Sequence, residues 1–273
     1  MADPNLPDMN AIVGKQDIVL LTLDTLRFDA AQQCFDHGEL PVLSAYLPAS
    51  GWERRHTPGS FTYAAHAAFF AGFLPTPARP GPHPRLFALD FEGSETTRST
   101  TYVCRDSSSI VEGLRHVGYR TICIGGTGFF NKKNPLGSQL PGLFEESHWE
   151  PSFGVTATDS TERQVALACA RLRATELRNT HCFLFINISA MHQPNRHYLM
   201  DGSEDSYHSH CAALRYVDGA LAPMFGALRE RGGAFVIVCS DHGTAYGEDG
   251  YYGHRLAHDT VMTVPYAHFT IAP

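Results

Sequence analysis

With 273 residues, 43% of them hydrophobic and 18% charged, the chain has the composition of an ordinary soluble globular protein and enough apolar residues to bury a sizeable core. Its net charge of −7, with histidines neutral, gives no footprint for nucleic acid, and no apolar run approaches the ~20 residues that a membrane helix needs. Seven dispersed cysteines with no C-x-x-C pair read as buried free thiols in a reducing compartment, in preference to a disulfide framework or a zinc ribbon.

The opening MADPNLPDMN lacks the basic start and apolar stretch of a secretory signal, so the expected location is the cytoplasm. DIVLLTLDTL (17–26) is a continuous apolar run ending in an acid, as in a buried parallel-type strand with Asp24 near its C-terminal end. Residues 27–36 look helical, 40–47 suggest a short helix, and GWERRH (51–56) a strand. TYAAHAAFFAG (62–72) predicts a short helix with Thr62 at its start and a glycine stop at Gly72. TPARPGPHPR (76–85) must be a loop. Then follow a Ser-capped helix over 106–118, a strand over 119–126, an irregular stretch over 127–155, and an amphipathic helix over 159–177. The strand HCFLFINISA (181–190), a long helix over 205–233, the strand AFVIVCSDHG (234–243) and a last strand over 265–272 complete the chain.

Strands alternate with helices, and the apolar strands are unbroken. This pattern predicts an α/β fold, with a mostly parallel central sheet and helices on both faces. With no repeat and no clean linker, residues 1–273 are expected to form one domain, of which 1–16 are expected to be poorly ordered. Ligands of such sheets bind beyond the carboxyl ends of the strands. Asp24, the 187–192 segment and Asp241–His242 all fall at predicted strand ends, so their polar groups should converge. Asp and His are ligands of hard or borderline divalent cations. Each is unremarkable alone, and Thr62 alone would be read as a helix N-cap.

In combination these segments resemble the alkaline phosphatase superfamily, in its sulfatase-like branch. DIVLLTLDTLRFD looks like that family's first strand with its metal-binding acid. GSFTYAAHAAFFAGFLP looks like its nucleophile helix, with Thr62 at the nucleophile position and His66 at the basic position four residues later. INISAMHQP is similar to the strand that delivers an H-x-P histidine, here His192. VIVCSDHGTAYGEDGYYGHRLAHDTVMTVP resembles the strand, the D-H pair and the later G-H of the family. His254 follows His242 by twelve positions, an offset that matches phosphoethanolamine transferases of the superfamily.

The resemblance implies a metal-dependent hydrolase acting on ester bonds, a phosphodiesterase or phosphomonoesterase working through Thr62 and a phospho-threonine intermediate. Asp24, Thr62, Asp241 and His242 would hold a divalent metal, which would ionise an otherwise poor hydroxyl nucleophile. One or two ions are expected, zinc first, with manganese, magnesium or calcium as alternatives. His192 and His254 would complete a second metal position or contact the leaving group. Arg27, His66, Tyr246 and Arg255 are the substrate-binding candidates, although Arg27 also reads as a helix-start residue paired to Asp29. The expected partner is a small phosphoester or similar anion, with no nucleic acid and no membrane segment. Transfer of a phospho-group to a non-water acceptor is the alternative. Two others are sulfuric ester hydrolysis, which Thr62 in place of a maturable cysteine argues against, and a non-catalytic metal-binding biosynthetic partner.

Overall fold

The computed structural model describes residues 7–72 and 109–273. The predicted loop over 76–85, Cys104 and the first residues of the 106–118 helix lie outside them. In chain order the strands and α-helices are β1 (Asp17–Leu23), α1 (Phe28–Asp36), β2 (Glu53–His56), α2 (Thr62–Ala71), α3 (Ile110–His116), β3 (Arg120–Ile124), α4 (Pro135–Gln139), β4 (Glu146–His148), α5 (Ser160–Leu172), β5 (Cys182–Ile188), α6 (Tyr207–Glu230), β6 (Ala234–Cys239), β7 (Ala245–Tyr246), β8 (Tyr252–Gly253), α7 (Asp259–Met262) and β9 (Thr263–Ile271).

Seven strands form one sheet in the order β2-β9-β6-β1-β5-β3-β4. β1 lies at its centre, parallel to β5 on one side and β6 on the other. β3 runs parallel to both β5 and β4, while β9 is antiparallel to β6 and β2. All seven residues of β1 and of β5 are buried, which explains their unbroken apolar sequences. Alternate side chains of β1 enter separate cores. Val19, Leu21 and Leu23 pack with residues of α1, α5 and α6. Ile18 and Leu20 pack with Phe70 of α2, Val111 of α3 and Phe130. The sheet is thus sandwiched between two helical layers, as the sequence pattern predicts.

Three expectations change. Residues 40–47 form consecutive turns instead of a continuous helix, with single helix-type bonds from Ser44 N to the Leu40 carbonyl and from Leu47 N to the Leu43 carbonyl, and Asp218 of α6 takes the otherwise unpaired N–H groups of Val42 and Leu43 at 3.0 and 2.8 Å. Asp218→Ala would leave one buried and one half-buried donor unpaired, and should lower stability by about 1–3 kcal/mol in denaturant unfolding. Asp218→Asn, which keeps one acceptor oxygen, should recover part of that loss. The 127–155 stretch contains α4 and the edge strand β4; β4 is three residues long, too short to carry an apolar pattern. Within 1–16, Met9–Ala11 form a 3-10 turn capped by Asp8, and Ile12 is buried. The Tyr119 hydroxyl accepts from Gly14 N at 2.8 Å and donates to the Gln16 carbonyl at 2.9 Å, so the described part of this segment, from Asp8 to Gln16, is tied to the rest of the fold.

Candidate active site

The parallel strands bring their C-terminal ends to one edge, and the site is built there. Asp24 follows β1 directly, and the next residue, Thr25, adopts φ 63. A β-branched residue with that backbone is strained. The turn directs Thr25 N onto Asp241 Oδ1, at 3.2 Å. Asp241 and His242 follow β6, and Asp241 Oδ1 also accepts from His242 N at 3.0 Å. Thr57 donates its hydroxyl to the Asp241 carbonyl. At Gly243 a side chain would overlap the Thr260 carbonyl, so only glycine lets the chain pass this close behind the histidine.

Asp24, Asp241 and His242 are fully buried, and one potential ligand atom from each lies within 4.8 Å of the others. Thr62, the first residue of α2, places Oγ1 3.3 Å from Asp24 Oδ2 and 3.4 Å from His242 Nε2. Phe61 provides no side-chain cap, so the first-turn amides of this ten-residue helix have no side-chain acceptor from that position. His242 Nδ1 donates to the Gly243 carbonyl at 2.9 Å. That bond fixes the tautomer and leaves the Nε2 lone pair facing the carboxylates.

The electrostatics favour a bound cation. Burial, and then the charge of Asp241, push the Asp24 carboxyl up to about 6; burial pushes Asp241 up to about 7. Asp24 Oδ1 and Asp241 Oδ2 are buried without a hydrogen-bond partner. Two buried carboxylates with orphaned oxygens are costly unless something positive sits between them. The donor set, two carboxylates, one imidazole and a hydroxyl, therefore fits a divalent metal such as zinc or manganese.

His192 and His254 join this group. The His254 ring centroid is 4.7 Å from that of His242 and 5.3 Å from that of His192. His192 Nδ1 donates to the Gln193 carbonyl at 2.6 Å, leaving Nε2 free. Burial, then the neighbouring His242 and His192, hold the His254 imidazole down to about 3, so it is a neutral base at working pH.

The four substrate-binding candidates separate. His66 is 0% exposed and lies behind Thr62, bonded to the Thr62 carbonyl and to Thr22. Both ring nitrogens are thus engaged within the protein, and Nδ1 also lies 3.7 Å from Asp241 Oδ2. Arg27 is 4% exposed; its guanidinium bonds Asp29 at 2.9 and 2.6 Å and Glu248 at 2.5 Å, and stacks over Tyr207. The helix-start pairing with Asp29 is what the structure contains, extended to Glu248. Arg27→Met should cost about 2 kcal/mol of stability and leave KM unchanged, as read by unfolding and steady-state kinetics. A large rise in KM would return Arg27 to the substrate. The Tyr246 hydroxyl accepts from Asn195 Nδ2 at 2.7 Å and lies 3.0 Å from His210 Nδ1, so it clamps the β7–β8 hairpin to the segment after His192. Arg255 is exposed, and its N–H donates to the Ser60 carbonyl at 2.8 Å, two residues before Thr62. It alone of the four is exposed beside the nucleophile helix.

Thr22, Thr57, Asn195 and His210 support the site without having stood out in the sequence. Thr22 carried a signal, as the one hydroxyl within DIVLLTL. The others sit in contexts typical of surface or capping residues.

A sheet of this order with an Asp/Asp/His/Thr cluster at its carboxyl edge defines an alkaline-phosphatase-like fold. The Sulfatase family model matches residues 16–266, and the chain belongs to that family. The periplasmic domain of phosphoethanolamine transferase EptC from Campylobacter jejuni is similar at TM-score 0.63 and 13% identity, over 94% of this chain and 79% of that one. The EptC domain from Escherichia coli, in complex with Zn, is similar at 0.62 and 12%, over 94% and 73%. An alkaline phosphatase superfamily protein from Vibrio parahaemolyticus is similar at 0.56 and 18%, over 94% and 61%. At these identities the likeness is one of fold. A search of curated proteins finds no match to this chain.

Proposed function

We propose that this protein is a metal-dependent phosphoesterase with Thr62 as nucleophile. The observation that carries the reading is the Thr62 hydroxyl lying 3.3 Å from one of two buried, partly unpartnered carboxylates at the carboxyl edge of the sheet. Asp24, Asp241, His242 and Thr62 would hold the ion, zinc by preference, which when bound supplies Lewis-acid polarisation and lowers the pKa of a coordinated hydroxyl. Thr62 Oγ1 attacks phosphorus; the new O–P bond forms as the bond to the leaving alcohol breaks, and Asp24 Oδ2 is placed to take the hydroxyl proton. His254 and His192 stand beside His242, where the neutral His254 imidazole can take the proton that an incoming water must lose, while the leaving oxygen takes its proton from solvent. A hydroxyl at position 62, in place of a cysteine that could be matured, supports phosphate over sulfate esters.

A second reading is transfer of the phospho-group to an alcohol acceptor. The twelve-residue offset of His254 from His242 and the fold likeness to phosphoethanolamine transferases favour it. Burst kinetics on a chromogenic phosphodiester and monoester, with and without alcohols, decide. A burst with water-limited turnover supports hydrolysis, while acceleration by one alcohol with a new phosphodiester product supports transfer. Absence of any phospho-enzyme or turnover with zinc bound would favour a non-catalytic role. Among the described residues no helix is long and apolar enough to cross a membrane. A cytoplasmic location remains the proposal on the basis of the buried free thiols, such as Cys34 and Cys211; cell fractionation tests it.

A further inference from the structure

His66 is an imidazole enclosed by aromatic rings. Phe69, Phe70, Phe130 and Phe185 lie 5.6, 6.0, 5.4 and 5.4 Å from it, centroid to centroid. A polar ring in such a box is costly unless both nitrogens are bonded. Both are, and the bonds have a fixed direction. The Thr62 carbonyl can only accept, so Nδ1, 2.7 Å away, carries the proton. Nε2 then presents a lone pair, and Thr22 Oγ1 donates into it at 2.9 Å. Asn187 Oδ1 accepts from Thr127 N at 3.0 Å, which assigns the amide: Nδ2 is the end facing β1. It donates to Asp24 Oδ2 at 3.0 Å and lies 3.4 Å from Thr22 Oγ1. Thr22 and Asn187 are directly paired in the β1–β5 register, so this spacing is set by the sheet. Thr22, His66 and Asn187 are all 0% exposed.

We propose that His66 is a positioning residue, which through Thr22 and Asn187 locks the backbone of the nucleophile Thr62 to the metal-binding carboxylate of Asp24. The inference rests on the reading of Thr62 as nucleophile. Its physical content is that Thr62 and Asp24, on different elements, are held in one register by a chain of buried hydrogen bonds whose direction is assigned at every link, with the two N–H groups of Asn187 Nδ2 shared between Asp24 Oδ2 and Thr22 Oγ1. Asp24 Oδ2 is taken up by Asn187 and Thr62, which leaves Oδ1 unpartnered for a cation. Near-attack alignment is sensitive to displacements of about 1 Å, which can change rates by about 100-fold, so a tether of this kind acts on the transition state and not on ground-state binding.

Orthovanadate and phosphate separate those two effects without knowledge of the substrate. Vanadate reaches a five-coordinate, transition-state-like adduct only with an aligned Thr62 oxygen, whereas phosphate binds without one. With the zinc-loaded full chain, wild type should bind vanadate more tightly than phosphate. His66→Ala and Thr22→Val should lower the vanadate-to-phosphate affinity ratio by about 10- to 100-fold, with phosphate affinity and zinc stoichiometry retained. His66→Asn keeps a donor near the Nδ1 position and should fall between Ala and wild type. On a chromogenic ester the same variants should lose kcat at constant KM. An unchanged ratio in folded His66→Ala overturns the proposal, and so does parallel loss of phosphate, vanadate and zinc. Should His66→Ala fail to fold, an unchanged ratio in Thr22→Val and His66→Asn overturns the proposal in its place. Thr62→Ala is the control: a wild-type ratio in that variant overturns the nucleophile reading itself, whereas its collapse alongside an unaffected His66→Ala overturns only the tether.

Discussion

Thr62→Ala should reduce turnover of any phosphoester substrate by about 10,000-fold or more, the scale of losing a nucleophile that acts as part of a unit. The variant should still bind zinc, because Asp24, Asp241 and His242 place their ligand atoms within 4.8 Å of one another without Thr62. Thr62→Ser, which keeps a hydroxyl on the same first turn of α2, should retain measurable activity. Rapid quenching followed by mass spectrometry should find the phosphoryl group on the peptide containing Thr62 in wild type and on no peptide of the alanine variant. Retained activity in Thr62→Ala, or a phosphoryl group trapped elsewhere, sinks the assignment. The size of the expected effect follows from the geometry, since His66 is sealed behind Thr62 and offers no second nucleophile.

Asp241→Asn should stabilise the metal-free protein at neutral and higher pH while abolishing its response to zinc. The carboxyls of Asp24 and Asp241 lie at about 6 and about 7 in the folded chain, against 3.8 for an ordinary aspartate, chiefly because of burial. A folded pKa above the unfolded one means that the native state holds the proton more tightly. The stability these groups contribute is therefore present below about pH 4 and is lost as pH rises through 6 and 7. Each pKa unit corresponds to about 1.4 kcal/mol, so the wild-type cost at pH 8 is on the order of a few kcal/mol. Asparagine keeps the oxygen that accepts from Thr25 N and His242 N and removes one of the two charges. The variant should melt above the metal-free wild type at pH 8, by about 2–4 °C per kcal/mol in a chain of this size, and the gap should close by pH 4.

Zinc reverses the order. At a concentration near 100 times its Kd, an ion that binds only the folded state adds about 2.7 kcal/mol to the wild type, and it should add nothing to Asp241→Asn. Scanning calorimetry at pH 4 and pH 8, with chelator and with zinc, reads all of these quantities. Equal stabilisation of both proteins by zinc would remove Asp241 from the metal set. A pH-independent gap would remove the electrostatic account of the site.

Much of this was legible in the residues because it depended on local patterns. The unbroken apolar runs at 17–23 and 182–188 can be satisfied only by strands covered on both faces, and the order of helices and strands then leaves few arrangements. The glycine stop at Gly72, at φ 73, ended α2 where the sequence predicts. Asp24, Asp241 and His242 were visible as acids and a histidine at strand ends, and parallel strands place their carboxyl ends on one edge. The turns at 40–47 were not legible, because the residue that holds them, Asp218, is far away in sequence.

The sequence by itself therefore determined the layered α/β architecture, the family, and the Asp24, Thr62, Asp241 and His242 quartet. Only the tertiary structure decided which partners the basic and phenolic residues around that quartet contact. His66, Arg27 and Tyr246 have the side chains of substrate ligands, but His66 is bonded at both nitrogens and ringed by phenylalanines, Arg27 is paired with Asp29 and Glu248, and Tyr246 is held by Asn195 and His210. The same tertiary contacts brought His192 and His254 beside His242. The physical reason is one of range. Periodicity and chain order report which face of a strand or helix a residue occupies, whereas a side chain's partners, up to 221 positions away for Arg27 and Glu248, exist only once the chain has folded.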